Sequence, residues 1–188
     1  SMALSKAKQL RKRIALPDAT DRRVIAVTHQ IINEGIAKPV LIGEKARIQA
    51  AMEGFDEDTY EIVDPVKPPE HEALEARMRE SEGMFAKGVK LYPHTLAALM
   101  TDLSMVDGML SASDRVYRET VPSVLRHVRK RQGVRRVIGM HIMVIKDRVL
   151  FFADTTLVIK PTSEELADSA RLCSEAVAAL GVTPRVAF

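Results

Sequence analysis

Apolar residues recur along this chain in two alternating rhythms. Short apolar runs bounded by Gly, Pro or Asp read as strands, and between them apolar positions spaced three and four apart read as helix faces. Ile14–Pro17 is the first such run. Asp18–Asp21 then offers several helix N-cap candidates, and Val24, Ile25, Thr28, Ile31 and Ile32 fall on one face of a helix that Gly35 stops. Pro39–Ile42 is a strand closed by Gly43, residues 44–52 a short helix, and Tyr60–Asp64 a strand ended by Pro65. Pro68-Pro69 opens a helix over 70–85, and 93–103 is another. Residues 105–111 read as a strand and 115–131 as a helix in which Pro122 predicts a kink or a split. The apolar runs 137–144 and 149–152, separated by Lys146-Asp147, predict a hairpin. Residues 164–180 form a helix with Leu166, Ala170, Cys173, Val177 and Leu180 on one face, and 184–188 starts another strand.

This alternation predicts the α/β class, a mostly parallel sheet flanked by helices. Gln132-Gly133 interrupts a long basic helix, which places a first α/β lobe over 3–132 and the start of a second over 133–188. The chain stops inside an apolar run, so the last strand has no helix to cover it and the natural gene product is expected to be longer. Ser1-Met2 reads as a remnant of tag cleavage.

Composition adds a few bounds. The 188 residues suffice for one good-sized core or two small lobes. With 46% hydrophobic residues, 4% aromatic and no Trp, the core must be aliphatic. A net charge of +3 is a weak indication of a polyanionic partner. Cys173 is the single cysteine, which excludes an internal disulfide and a multi-cysteine metal site; its place on the apolar helix face predicts a buried thiol. No apolar run is long enough to cross a bilayer and no signal peptide is visible, so no membrane role and a cytoplasmic location are expected.

The stretch Arg148-Val-Leu-Phe-Phe-Ala-Asp-Thr-Thr156 carries the strongest chemical signal. It reads as a buried strand delivering Asp154, Thr155 and Thr156 at its carboxyl end, the place where open α/β sheets bind ligands. A helix follows at once, with Thr162 or Ser163 as N-cap and Glu165 three residues after Thr162. A structural alternative stands beside this: a turn in which Asp154 and Thr155 cap backbone groups. The basic run Arg126–Arg136 could meet RNA or the phosphates of a nucleotide, but it lacks interleaved aromatics for base stacking and also suits a solvated helix end, so nucleic acid is not the expected partner. The five histidines are scattered without metal-ligand spacing, and His141, inside an apolar strand, reads as a core residue.

Several blocks together resemble the phosphate acetyl/butyryltransferase family. They are Ile14-Ala-Leu-Pro17 with Arg23-Val24, Gly35–Gly43, Ile62-Val-Asp-Pro65, Val106-Asp-Gly-Met-Leu-Ser111, Phe152–Thr156, Pro161–Asp168 and Gly181–Ala187. Their order and spacing cover almost the whole chain. The resemblance implies the first half or so of a two-lobed acyltransferase fold. It also implies acyl transfer between coenzyme A and phosphate, with acetyl-CoA or acyl phosphate and inorganic phosphate as ligands, coenzyme A as substrate or effector rather than cofactor, no metal, and a homo-oligomer. It places Arg79 at a substrate-binding arginine and Ser111 at the serine of a small-residue turn that runs on to Ser113; Asp154, Thr155 and Thr156 line the site. Arg is suited to phosphate because its planar fork binds two oxygens, although Arg79 also fits a solvated helix surface among Glu72, Glu75, Glu80 and Glu82.

The chain departs from the family pattern at several points. The glycine of the turn is Ala112, a second substrate arginine falls by ungapped counting on Pro122 with Arg115 and Arg118 nearby, and an asparagine and an acid are replaced by Val158 and Lys160. The family's later serine-rich loop and catalytic positions have no counterpart before Phe188. The same domain type closes hybrid NADP-dependent malic enzymes, where it resembles the transferase but acts as an acetyl-CoA-responsive regulatory module, and Phe-x-Ala-Asp-Thr-Thr is closer to that branch. Three readings follow: a phosphate acetyltransferase-type domain, a catalytically degenerate regulatory domain, or a non-catalytic oligomerisation module.

Overall fold

The computed structural model describes residues 2–82, 91–111, 117–146 and 148–188. The chain divides into two compact units, 1–129 and 130–188.

The first unit begins with helix α1 (Met2–Leu10), which the apolar pattern did not announce, and strand β1 (Arg13–Leu16). Helix α2 (Arg22–Glu34) follows. Its N-cap is Asp21, and Gly35 ends it in the left-handed region at φ 63°, where a residue without Cβ is not strained. Strand β2 (Lys38–Ile42), helix α3 (Lys45–Ala51), a 3-10 turn at Glu57–Thr59 and strand β3 (Glu61–Val63) come next. Helices α4 (His71–Glu82) and α5 (Pro93–Asp102) lead to strand β4 (Gly108–Met109), which is shorter than the apolar run 105–111 suggests, and then to helix α6 (Tyr117–His127). Pro122 lies inside α6 without splitting it, and the helix stops at His127 rather than running on through the basic residues.

All pairings in this sheet are parallel, in the order β3-β2-β1-β4. Successive strand side chains point to opposite faces, so each buried strand feeds two cores. Ala15, Val40 and Ile42 pack with Leu74, Leu96, Leu99 and Met100 beneath α4 and α5. Leu16 and Leu41 pack with Ile48, Met52 and Tyr60, backed by Val24, Ile25 and Ile32 of α2. A parallel sheet covered on both faces in this way is the α/β architecture.

Helix α5 is buried all round, from Thr95 to Met100. At its end Asp102, 3% exposed, accepts from Arg77 Nε at 2.6 Å and from Arg129 N at 2.7 Å, and Arg129 Nη2 lies 3.0 Å away. Arg77 Nη2 also donates to the carbonyl of His127 at 2.8 Å. Burial raises the Asp102 pKa, but the hydrogen bonds and charges of Arg129 and Arg77 outweigh it and hold the carboxyl below the usual range. His127 is buried too, with Nδ1 2.9 Å from Ser81 Oγ and Nε2 3.6 Å from Glu82. Its imidazole is pushed below its ordinary value, chiefly by burial; Glu82 pulls it upward, while the cationic Arg126 and Arg77 and the nearby His94 add to the lowering.

The second unit is built differently. Strands β5 (Met140–Ile145) and β6 (Arg148–Ala153) form an antiparallel hairpin, followed by helix α7 (Ser163–Ala179). Thr162 caps α7 in a full capping box: it accepts from Glu165 N, and Glu165 accepts from Thr162 N. Three expectations are corrected here. Strand β6 is not buried; Val149 and Phe152 are exposed, because a two-stranded hairpin covers little of its own surface. His141 is an exposed residue opposite Phe152, not a core residue. Residues 184–188 make no strand, having no ladder partner among the described residues. Cys173 is half-buried, its Sγ 3.6 Å from Met140 Sδ. None of the described helices is long and apolar enough to cross a membrane.

Two predictions follow from the buried charges. Arg77→Ala would leave buried Asp102 to Arg129 alone and the His127 carbonyl without its donor, and is expected to cost about 3 kcal/mol in a urea unfolding titration. The His127 pKa is lowered on folding, so the unfolded chain binds the proton more readily, and stability falls as pH drops below about 6.5. The carboxylates Asp102 and Glu61, whose pKa values are depressed on folding, extend the loss into the acid range. The urea midpoint should be level above pH 7 and decline below about 6.5, and His127→Gln should remove the first phase of the decline.

Candidate functional site

The residues with chemical promise lie in both units, and each set is described within its own unit. In the first, Arg79 projects from the outer part of α4. Its guanidinium is 64% exposed and, among the described residues, meets Glu75 one turn earlier, with Nη2 3.4 Å from the carboxylate and Nε donating to the carbonyl at 3.3 Å. Ser111 follows β4, half-buried, and donates to Asp18 Oδ2 at 3.2 Å. Ser113 and Ala112 lie outside the described residues. Sequence reasoning treated Asp18 only as a cap candidate; Asp21 takes that role, and Asp18 instead reaches across to the end of β4.

In the second unit, Asp154, Thr155 and Thr156 form the turn that leaves β6. Asp154 Oδ1 accepts from the N–H groups of Gly139 at 3.0 Å, Thr156 at 3.2 Å and Leu157 at 3.2 Å. Thr155 N in turn donates to the Gly139 carbonyl at 3.2 Å. Partial burial pushes the Asp154 pKa up, but the N–H groups of Gly139, Thr156, Leu157 and Val158 prevail and keep the carboxyl below its ordinary value. One carboxylate oxygen therefore organises the turn, and the exposed Thr155 and Thr156 are presented at its surface.

Gly139 is the residue that sequence reasoning missed. A Cβ there would stand 3.2 Å from Asp154 Oδ1 and 3.3 Å from Thr155 Oγ1, and nearer still to Thr156 Oγ1. The available signal was a lone glycine inside an apolar strand run, which marks a close approach of backbone or side chain.

The basic run is largely neutralised within each unit. Arg126 pairs with Glu82 and Arg129 with Asp102; Arg131 pairs with Glu175, Arg135 with Asp168, and Arg136 with Glu165 of the α7 capping box. Arg136 is the inward-facing member, 17% exposed. Beside α7 a groove of about 660 Å³ runs between β6 and residues 182–188, lined by Leu150, Phe152, Leu166, Cys173, Val177 and Phe188 among others. No His, Cys, Asp and Glu cluster suited to a metal ion occurs among the described residues.

The blocks that resemble acyltransferases fall on the parallel sheet of the first unit and on the Asp154–Gly139 turn and the capping box of the second. The family profile described as "Phosphate acetyl/butaryl transferase" matches residues 2–188, and the chain belongs to that family. A phosphate acetyltransferase of Clostridium acetobutylicum is 32% identical over 97% of this chain and 59% of its own length. One from Nitratidesulfovibrio vulgaris is 29% identical over 98% of this chain and 27% of its length. An NADP-dependent malic enzyme of Escherichia coli is 27% identical over 98% of this chain and 26% of its length. The chain thus spans between about a quarter and three-fifths of these curated relatives. A crystal structure of a phosphotransacetylase from Streptococcus pyogenes superposes with a TM-score of 0.86 at 22% identity, covering 97% of this chain and 58% of that one, a likeness of fold.

The tight approach at residue 139 makes a direct prediction. Gly139→Ala should displace the Asp154 turn and destabilise the second unit by about 1–3 kcal/mol, an overpacking cost, with limited proteolysis cutting 130–188 faster and 1–129 at an unchanged rate.

Proposed function

We propose that this chain is a phosphate acetyltransferase-type domain that handles acetyl-CoA and acetyl phosphate. The observation that carries the reading is the family match over residues 2–188, supported by a phosphate acetyltransferase 32% identical across 97% of the chain. In the reaction so proposed, the coenzyme A thiolate attacks the acyl carbon of acetyl phosphate. The carbon–sulfur bond forms, the carbon–oxygen bond to phosphorus breaks, and phosphate leaves with the electron pair. Such a step needs cationic or N–H donors for phosphate and for the transient oxyanion. Arg79 suits the phosphate role because, among the described residues, its guanidinium is held by long, exposed contacts with the Glu75 carboxylate and carbonyl, contacts of little worth that a ligand displaces cheaply. Ser111 and the Thr155-Thr156 surface are the further ligand contacts we assign, Asp154 setting the turn that presents them. Ser113 is assigned with them by resemblance. A homo-oligomer in the cytoplasm is part of the same proposal, and the paired basic run supports a small-molecule ligand over nucleic acid.

A second reading is favoured by the likeness to the NADP-dependent malic enzyme and by Pro122, Val158 and Lys160 at departures from the transferase pattern. Losing fixed cations or oxyanion donors costs decades of rate, whereas an acetyl-CoA-responsive regulatory domain needs only different affinities in two conformational states.

Acetyl-CoA formation from acetyl phosphate and coenzyme A by the full-length gene product separates the two. Turnover that drops by about two to three decades in Arg79→Ala supports the transferase. Absence of turnover sinks it for acetyl substrates, and acetyl-CoA binding measured by calorimetry then supports the regulatory domain.

A further inference from the structure

The turn that presents Thr155 and Thr156 opens a loop, residues 154–162, that carries the chain from β6 to α7. Apolar packing does little to hold this loop: Ile159, near its middle, is 96% exposed. A segment with few buried apolar contacts opens readily unless hydrogen bonds fix it. Here both ends are tied to the same short stretch, residues 136–139, which leads into β5. At the near end Gly139 N donates to Asp154 Oδ1 at 3.0 Å, and the Gly139 carbonyl accepts from Thr155 N at 3.2 Å. At the far end Arg136 Nη2 donates to Glu165 Oε1.

Glu165 uses its two oxygens for two tasks. Oε2 accepts from Thr162 N at 2.7 Å and closes the capping box of α7, while Oε1 takes Arg136. The cap is local to residues 162–165 and does not need the arginine. The Arg136 pair also differs from its neighbours along α7. Arg131 and Arg135 are 74% and 71% exposed, and pairs so solvated fix little geometry. The Arg136 side chain is 17% exposed, so its charge-assisted hydrogen bond is shielded enough to hold a direction.

We infer that Arg136 is a positioning residue: through Glu165 it anchors the far end of the 154–162 loop and so keeps Thr155 and Thr156 in the arrangement a ligand meets. Gly139 and Asp154 hold the near end, and residues 136–139 together form a brace. The inference rests on the acetyl-CoA reading, which makes Thr155 and Thr156 ligand contacts. In this role Arg136 meets Glu165 and not the ligand. Without the brace the ligand must order the loop as it binds, and that ordering is subtracted from the affinity.

Calorimetric titration of the full-length gene product with acetyl-CoA tests it in Arg136→Met, Glu165→Gln, the Arg136→Met/Glu165→Gln double variant, Arg136→Lys and Arg131→Met, with a urea midpoint for each. Glu165→Gln keeps an oxygen for Thr162 N and turns an amide NH2 toward Arg136, so it breaks the brace and spares the cap. Arg136→Met and Glu165→Gln are each expected to weaken acetyl-CoA about tenfold. The urea midpoint of Glu165→Gln should change little. The double variant should be little worse than either, the mark of a coupled pair. Arg136→Lys, whose ammonium can meet Oε1 in a single contact, should recover most of the affinity. Arg131→Met, which removes an exposed pair on the same helix, should bind as the unsubstituted protein does. Affinity unaltered in both Arg136→Met and Glu165→Gln overturns the inference. So does a loss in Arg136→Met that Glu165→Gln does not share, since Arg136 would then act otherwise than through Glu165. An equal loss in Arg131→Met overturns it as well, because the effect would belong to α7 as a whole. An unsubstituted protein that binds no acetyl-CoA sinks the acetyl-CoA reading itself, and the inference with it.

Discussion

Asp102 occupies a position that helix electrostatics disfavour: a carboxylate at the carboxyl end of α5, buried to 3% exposure. An unpaired charge there would cost several kcal/mol. The arrangement around it follows from that constraint. Arg77 must come from α4 and Arg129 from the segment leaving α6, and Arg77 also takes the terminal carbonyl of His127. Helix α5 is apolar on every side and has no amphipathic face to set its rotation against the sheet. The directional contacts of Asp102 supply what apolar packing leaves undetermined, and they tie α4, α5 and the segment leaving α6 to a single point.

The two units solve burial in different ways, and this bears on where chemistry can occur. The first has a parallel sheet covered on both faces, so its carboxyl edge is a sheltered rim where Asp18 and Ser111 meet. The second has a hairpin with one helix, and much of its apolar surface is open: Val144 is 73% exposed and Phe188 89%. Its chemical interest is concentrated in the turn after β6. There one carboxylate oxygen gathers backbone N–H groups from both sides of the hairpin end, and a glycine leaves room for it. The same Asp154 that draws attention as a ligand group is thereby a structural group first, and the hydroxyls beside it are what the turn offers outward.

The charge run from Arg126 to Arg136 shows how a one-dimensional feature changes meaning in three dimensions. Along the sequence it is a block of cations. In the fold its members point to different carboxylates, two of them held in the first unit and three along α7 in the second. A field that is internally compensated attracts polyanions far less than the bare count suggests.

Much of the architecture was legible in the residues themselves, because it is written in relations a few positions apart. The alternation of strands and helices, Gly35 as the stop of α2, the hairpin turn and the Thr162–Glu165 capping box all depend on local periodicity or local hydrogen bonds, which the sequence states directly. The family blocks added the fold class for the same reason, being short runs in a fixed order. What the sequence could not state was which polar residues go inside and whom they meet. Arg77 goes unremarked among the charges of its helix, and Asp18 reads as a cap, His141 as core, and β6 as a buried strand. Their actual surroundings are set by partners as far as 93 residues away and by how many layers cover each sheet. Burial and long-range pairing are properties of the assembled fold, since the free energy of placing a charge or a strand inside depends on neighbours that only tertiary structure brings together.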